Sequence, residues 1–404
     1  MIAKARKYCA PRSIGYPLQV LDVAVDAYAN RIYKRRSRPQ TDPAQPRFLL
    51  MTSGHLGDAL TLSYLFPLIR RQYPTCVIDV VAGSWCDPIL AKNPYIRRLI
   101  HLNHANTNRS KKSRLAKWRE HVQTMRTAIG QLKTETYTAA VDIRFSDSPM
   151  LFLLPFINVS RAVGFGTRGF GGLLDEEFFL PDEEFHHLDV ILTVLRAIGV
   201  DATLRDVKPY FQIPDAARQA LQRKLPIASD EDSPLILLCP ESGEPSRFLP
   251  ESFWRALATN LLTQTNCRLV GCGQLPQTTQ LMAAIGQDNP TATERLYDTV
   301  GQLNINELAA LSERAAVAIT LESLPAHLCS IFCPTVSYFY RGVGFQFFPM
   351  ANHPVMIFHN HPYSRNLTLD RPDFTSEYVT EFGVAVQKQS LQWIQSVLVK
   401  KEQI

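Results

Sequence analysis

The sequence predicts an α/β protein of two domains, each alternating strands and helices around a parallel sheet. Three observations carry this. Residues 47–82 read as strand, turn, helix and strand; a second alternation begins at 235; and a proline-rich stretch, 200–233, separates the two. A chain of 404 residues also exceeds one ordinary core and suits two domains of about 150–200 residues.

The first element is a helical pattern over residues 14–36, where Leu18, Leu21, Val25, Tyr28 and Ile32 recur at steps of three and four. Pro17 suits its start, and Arg31, Lys34, Arg35 and Arg36 crowd its end. Two readings stand: a basic amphipathic helix on an anionic membrane surface, or a helix packed on the body with its basic end in solvent. Residues 37–46 read as a linker.

The apolar run 48–51 then makes one buried strand. A turn over 52–57 follows, and a helix begins at Asp58, with Leu62, Leu65, Phe66 and Ile69 as its stripe and Arg70 and Arg71 near its end. A second strand covers 77–82. Asp58 therefore falls at the carboxyl edge of the sheet, where open α/β folds bind ligands. On chemistry alone it reads as a helix cap. Gly54 and Gly57 do not form a dinucleotide fingerprint, and no P-loop occurs.

Residues 99–102 read as a third strand. The basic run 109–126, with Lys111, Lys112, Arg114, Lys117 and Arg119, is either a solvated helix face or a contact for phosphates on an anionic acceptor. Residues 139–142 end another strand at Asp142. Five glycines in 163–174 imply a tight, mobile loop. His186 and His187 open an apolar helix; adjacent histidines point apart and make a poor metal pair, so structural roles are expected. In the second alternation, strands are expected at 235–239, 268–271 and 315–320 and helices at 254–262 and 279–285. A helical stripe of Leu391, Ile394, Val397 and Leu398 closes the chain.

Hydrophobic content of 46% and charged content of 20% are those of a soluble globular protein. No apolar run approaches the ~18–20 residues of a membrane span, and Lys4, Arg6, Lys7 and Arg12 precede no signal-peptide core. Eight cysteines (9, 76, 86, 239, 267, 272, 329 and 333) lack metal-ligand spacing and read as reduced, buried thiols of a cytoplasmic protein. The net charge of +6 is local: residues 1–38 carry nine Lys or Arg against Asp22 and Asp26. The remainder is near neutral, so nucleic acid is not an expected partner.

Several stretches resemble glycosyltransferase family nine, the ADP-heptose:lipopolysaccharide heptosyltransferases. The first is the apolar strand 48–51, then Gly57-Asp58, an apolar helix, Arg70-Arg71 and Tyr73-Pro74, with Asn93-Pro94-Tyr95 downstream. Ala162-Val163-Gly164-Phe165 is similar to another family step. The block Gly301-Gln302-Leu303-Asn304-Ile305-Asn306-Glu307-Leu308-Ala309-Ala310-Leu311 is the clearest match in the second half. Leu321-Glu322-Ser323-Leu324-Pro325-Ala326-His327-Leu328 resembles the family's Asp-Ser-Gly-Pro-x-His-Leu segment.

The resemblance implies a GT-B fold, two Rossmann-like domains facing across a cleft. Its divisions would be a basic N-terminal segment and linker (1–46), an acceptor-side domain (47–205), an interdomain linker (206–233), a nucleotide-sugar domain (234–375) and a C-terminal helix (376–404). It makes Asp58 the general base of an inverting sugar transfer, with Gly57, Asp142, Lys111, Lys112 and Arg114 on the acceptor side. It places the donor against Ser242, Gly243, Arg247, Gly273, Gln277, Glu322, Ser323, Leu324, Pro325 and His327. Arg247 would stabilise the departing diphosphate, as would the N–H groups at the start of a helix near Ser323. His327 is equally a packed helix residue. Tyr64, Arg247, Leu249, Gln277, Glu322 and Leu324 depart from the family's proline, lysine, tryptophan, acidic residue, aspartate and glycine.

The implied co-substrate is a nucleotide-sugar, ADP-linked and heptose-like, with no cofactor or metal. The implied acceptor is lipopolysaccharide or another anionic cell-envelope glycan or glycolipid, used from the cytoplasm with contact to the inner membrane surface. Two alternatives accompany this reading: a divergent non-catalytic binder of nucleotide or glycan, and a nucleotide-sugar epimerase of the same fold.

Overall fold

The computed structural model describes residues 12–145, 149–167, 169–181, 185–227, 233–340, 344–359, 374–378 and 383–401. Lys4, Arg6, Lys7, Cys9 and Arg168 lie outside them. The chain divides into two compact units, Met1–Val207 and Lys208–Ile404.

In chain order the first unit contains α1 (Arg12–Tyr28), β1 (Arg47–Met51), α2 (Leu56–Ser63), α3 (Phe66–Gln72), β2 (Val77–Ala82), α4 (Asp87–Leu90) and β3 (Ile96–His101). It continues with α5 (Arg114–Leu132), β4 (Thr136–Asp142), β5 (Asn158–Phe165), β6 (Glu176–Phe178) and α6 (His187–Arg196). Its sheet runs β3-β2-β1-β4-β5-β6, all parallel. The chain lays β2 and β3 outward from β1, then returns to place β4 on the other side of β1. That reversal is a topological switch point, where strand ends diverge and open a crevice.

One helix was expected over the segment that α2 and α3 divide. Pro67 cannot donate to the carbonyl of Ser63, so α2 stops there and α3 restarts at Phe66 with the proline in its first turn. Beneath the sheet, the buried carboxylate of Asp79 ties three strands together. Arg97 Nε and Arg98 NH2 donate to it at 2.9 and 2.7 Å, and the Tyr137 hydroxyl donates at 2.7 Å. Burial works against the charge, but these donors outweigh it and hold the carboxyl below its ordinary range.

Helix α1 packs on this unit, with Leu18, Val25 and Tyr28 against a core shared with the sheet, α5 and a 3-10 segment at Pro149–Phe156. Pro17 lies inside it, not at its start. A short π-helical turn, Ala29–Tyr33, continues it. The expected stripe is buried only in part: Leu21 and Ile32 face solvent, whereas Asp22 is buried and accepts the Phe170 N–H at 2.5 Å. The glycine-rich loop is therefore a packed seat for α1. A side chain at Gly172 would collide with Asp26.

The second unit contains α7 (Asp215–Lys224), β7 (Leu235–Cys239), α8 (Glu251–Gln264), β8 (Arg268–Gly271), α9 (Pro276–Asp288), β9 (Leu296–Asp298) and α10 (Ile305–Arg314). It ends with β10 (Val317–Leu321), α11 (Leu324–Cys329), β11 (Thr335–Phe339), β12 (Val355–His359), β13 (Phe374–Tyr378) and α12 (Val384–Lys401). Its parallel sheet runs β13-β12-β11-β10-β7-β8-β9, with the same reversal beside β7. Residues 206–233, expected as a crossing, contain α7, which is held to α10 by Lys224–Glu307 at 2.7 Å and Arg218–Glu313 at 2.8 Å. Helix α12 packs in this unit's core, where Ser390 meets the buried Tyr338 hydroxyl at 2.8 Å. The seven described cysteines are buried. Among the described residues no helix is long and apolar enough to cross a membrane.

Asp79→Ala should destabilise the chain by about 3 kcal/mol at pH 7, because it strands two arginines and a buried hydroxyl. The arginines keep partial access to water, which sets the effect near the low end for buried pairs. Asp79 stabilises as the carboxylate, so urea titrations should show the gap to the parent shrinking below about pH 4. An equal gap at pH 3 and pH 7 would contradict the assignment.

Candidate active site

Each unit gathers its candidate residues at its own switch point. In the first, β1 and β4 run side by side with Met51 paired to Asp142, so the segments leaving both strands emerge together. Asp58 sits in the first turn of α2 and accepts the His55 N–H at 2.7 Å through Oδ2. The helix starts at Leu56, so Asp58 is not the N-cap residue expected: His55 holds that position, and Asp58, three residues further on, closes a capping box with it. The other Asp58 oxygen, Oδ1, is ion-paired to the Arg144 guanidinium. A quarter of the Asp58 side chain stays exposed, at 26%. Burial alone would raise its pKa; the Arg144 charge and the His55 N–H outweigh that and hold the carboxyl below the ordinary range.

The surrounding turn is built to fit. Trp85 Nε1 donates to the Gly54 carbonyl at 2.8 Å, and a Cβ at Gly54 would fall within 2.4 Å of Asp58. Gly57, by contrast, faces open space. Arg144 is the residue that sequence reading missed. Its only local signal is its place two residues beyond Asp142, at the end of a strand. Asp142 itself is fully buried, and its Oδ1 accepts the Arg144 N–H at 3.0 Å. It positions Arg144 and presents no surface to an acceptor.

Lys111, Lys112 and Arg114 stand elsewhere. All three are exposed; Lys112 pairs with Glu120 at 2.8 Å and lines a groove of about 670 Å³ along β3 and α5 that does not include Asp58. His186 accepts the Leu188 N–H at 3.4 Å at the start of α6, and His187 is buried, in line with structural roles.

In the second unit, three segments leave neighbouring strands β10, β7 and β8. Ser242, after β7, donates its hydroxyl to the Glu322 carbonyl at 3.1 Å and so joins two of them. Arg247 lies in a 3-10 turn, and its guanidinium meets Glu322 Oε1 at 3.1 Å. Glu322 is nearly inaccessible, and its Oε2 has no hydrogen-bond partner among the described residues. Burial pushes its carboxyl up to about 7, with Arg247 pulling the other way. Gly243 is exposed, and Leu249 fills the core beside Phe253 and Trp254.

Ser323 is the cap position of α11, with Leu324 and Pro325 in its first turn and half-buried. His327 is buried on that helix. After β8, Gly273 lies against Glu241, whose carboxylate accepts the N–H groups of Gln274 and Leu275, each at 2.9 Å, and the Thr278 hydroxyl at 2.6 Å. Gln277 is exposed. The acidic group at this turn is thus Glu241, from the preceding loop, a residue adjacent to Ser242 that sequence reading passed over. The structure brings together Arg247, Glu322 and Ser242, and separately Gly273 with Glu241.

Comparison with known proteins agrees with these two units. The family model for glycosyltransferase family 9 (heptosyltransferase) matches residues 125–371. That match begins downstream of Asp58. A lipooligosaccharide heptosyltransferase 2 of Haemophilus influenzae is 25% identical over 300 residues, covering 70% of this chain and 79% of that protein. Among solved structures, a family 9 glycosyltransferase from Veillonella parvula superposes with a TM-score of 0.68 at 16% identity, over 88% of this chain and 97% of that one. An E. coli ADP-heptose LPS heptosyltransferase II gives 0.65 at 16% identity, over 88% and 99%. Both likenesses show the GT-B fold of that family. The family match spans more than half of the chain, which therefore belongs to glycosyltransferase family 9 and carries out glycosyl transfer of the heptosyltransferase type.

Proposed function

We propose that this protein transfers a heptose-like sugar, with inversion, from an ADP-linked donor to lipopolysaccharide or a related anionic cell-envelope glycan. The observation that carries the reading is the Asp58 carboxylate at the first switch point, kept ionised by Arg144 and the His55 N–H and still open to solvent. ADP and the lipopolysaccharide acceptor come from what the similar E. coli enzyme is described as using.

In this reading the acceptor hydroxyl lies against Asp58 and attacks the anomeric carbon from the face opposite the leaving nucleotide. Its proton passes to Asp58 as the new C–O bond forms. The bond to the diphosphate breaks, and the charge left on its oxygens is met by Arg247 and by the N–H groups at the start of α11. Glu322 holds Arg247 in place. No step is assigned to a metal ion.

Asp58→Asn should lower kcat by about 10²–10⁴-fold while leaving ADP binding, read by calorimetry with UDP and GDP as controls, within a few-fold of the parent. Near-normal turnover would sink the base assignment. Arg144→Gln removes the charge that opposes burial at Asp58. The acid limb of the kcat/KM profile should then move to higher pH, and an unmoved limb would show that Arg144 does not tune the base. Glu322→Gln should act on stability. Glu322 has a folded pKa near 7 against an ordinary 4.5, so its ionisation costs stability as pH rises through that window. The melting temperature of the variant relative to the parent should therefore climb between about pH 4.5 and 7 and level off above, by the equivalent of up to roughly 3 kcal/mol. A constant difference would place Glu322 outside that titration.

A further inference from the structure

Helix α1 carries apolar residues on both of its faces, and its Leu18, Val25 and Tyr28 pack on the body. Its acidic residues, Asp22 and Asp26, face the glycine-rich loop of the body, while Tyr16, Val20, Val23 and Ala27, spaced at helical intervals, face outward. Val20 is 74% exposed and Val23 is 71% exposed. A surface helix that only packed on the body would keep a polar outer face.

Beside α1, the 3-10 segment Pro149–Phe156 adds two further exposed aromatics, Phe152 and Phe156, the latter 57% exposed. Contacts fix this segment next to α1. The Phe152 ring stands 4.1 Å from that of Phe170, whose N–H is held by Asp22, and Arg36 donates to the Pro155 carbonyl at 3.0 Å. Helix α5 belongs to the same layer on that side of the sheet and carries its own exposed stripe, Leu115, Trp118 and Val122.

Charge identifies what covers this face. Arg31, Lys34 and Arg35 are exposed at the end of α1 and make no ion pair among the described residues. Residues 1–38 carry a net +7 while the rest of the chain is near neutral. We infer that the outer face of α1 and the neighbouring Phe152–Phe156 edge dock on a bilayer containing anionic phospholipid, with the apolar side chains entering the headgroup boundary and the basic end meeting lipid phosphates. A second copy fits less well, because the outer face of α1 carries no acidic residue to meet that copy's Arg31, Lys34 and Arg35. The inference is independent of donor, acceptor and base, since binding to a surface needs no turnover.

The test is sedimentation of the purified full chain with phosphatidylcholine vesicles, with and without about 30% phosphatidylglycerol, alongside sedimentation equilibrium without lipid. Binding is expected only to the anionic vesicles and should weaken with salt. Lys34→Gln with Arg35→Gln should lower the partition coefficient roughly 30-fold, at about 1 kcal/mol per charge. Val20→Ser with Val23→Ser should lower it about tenfold. Both pairs are exposed, so melting temperature and ADP binding should stay at parent values. Equal binding to neutral vesicles, no effect of either pair, or self-association through this face without vesicle binding would each overturn the proposal.

Discussion

Both sheets obey one constraint, the right-handed crossover between parallel strands. Each chain segment first lays strands to one side of its starting strand and then to the other, so its crossings cover opposite faces of the sheet. Beside the starting strand the connections therefore leave in opposite directions, and the crevice between them is not filled by backbone. In the first unit this puts the Asp58 turn and the Arg144 turn at adjacent strand ends. In the second it puts Ser242 beside Glu322. Neither pairing needs a long loop, because the reversal supplies it.

The two crevices use ion pairs of opposite character. Asp58 is partly open to water, and its partner wins over burial, so its charge is permanent at neutral pH. Glu322 is shut in, its second oxygen has no partner among the described residues, and burial wins over Arg247. A carboxyl that titrates near neutrality beside a guanidinium makes the cation's availability adjustable. A diphosphate reaching Arg247 would compete with Glu322 for it, and protonation of Glu322 would release it. Arg offers a planar fork that can meet a diphosphate bidentately, whereas a lysine meets it as a point charge.

How much of this was legible depends on the range of the signal. Strands β2, β7 and β8 were read to the residue, because a buried parallel strand is a short apolar run with sharp edges. The local pattern of strand, turn and helix put Asp58 at the sheet edge, but only the family resemblance singled it out over a helix cap. Arg144 was not found, since the contact that makes it functional spans 86 residues and leaves no periodic trace. The break at Ser63 was readable in principle from Pro67. Helix α7 was hidden because prolines bracket it and only Ala217 and Leu221 are buried. On α1 the periodicity held only in part, because a buried aspartate shares the inward stripe with Leu18, Val25 and Tyr28 while Leu21 and Ile32 face solvent. A hydrophobic pattern cannot report a side chain that is buried for its hydrogen bond.

A carboxylate held below its ordinary pKa looks at first like a poor choice for a base. The timing of glycosyl transfer answers this. The attacking hydroxyl is not acidic enough to lose its proton to any carboxylate beforehand. Once its oxygen begins to bond to the anomeric carbon, it acquires oxonium character and its proton becomes far more acidic than a carboxylic acid. A weak base then suffices, provided that it is ionised, placed and desolvated on one side. Arg144 and the His55 N–H meet the first two conditions at Asp58, and the packing of Gly54 and Trp85 meets the third. A stronger base at that place would gain little in proton transfer and would spend part of its time protonated at neutral pH. In the proposed mechanism the ion pair with Arg144 is thus compatible with catalysis, and it would lower the pH down to which Asp58 stays ionised.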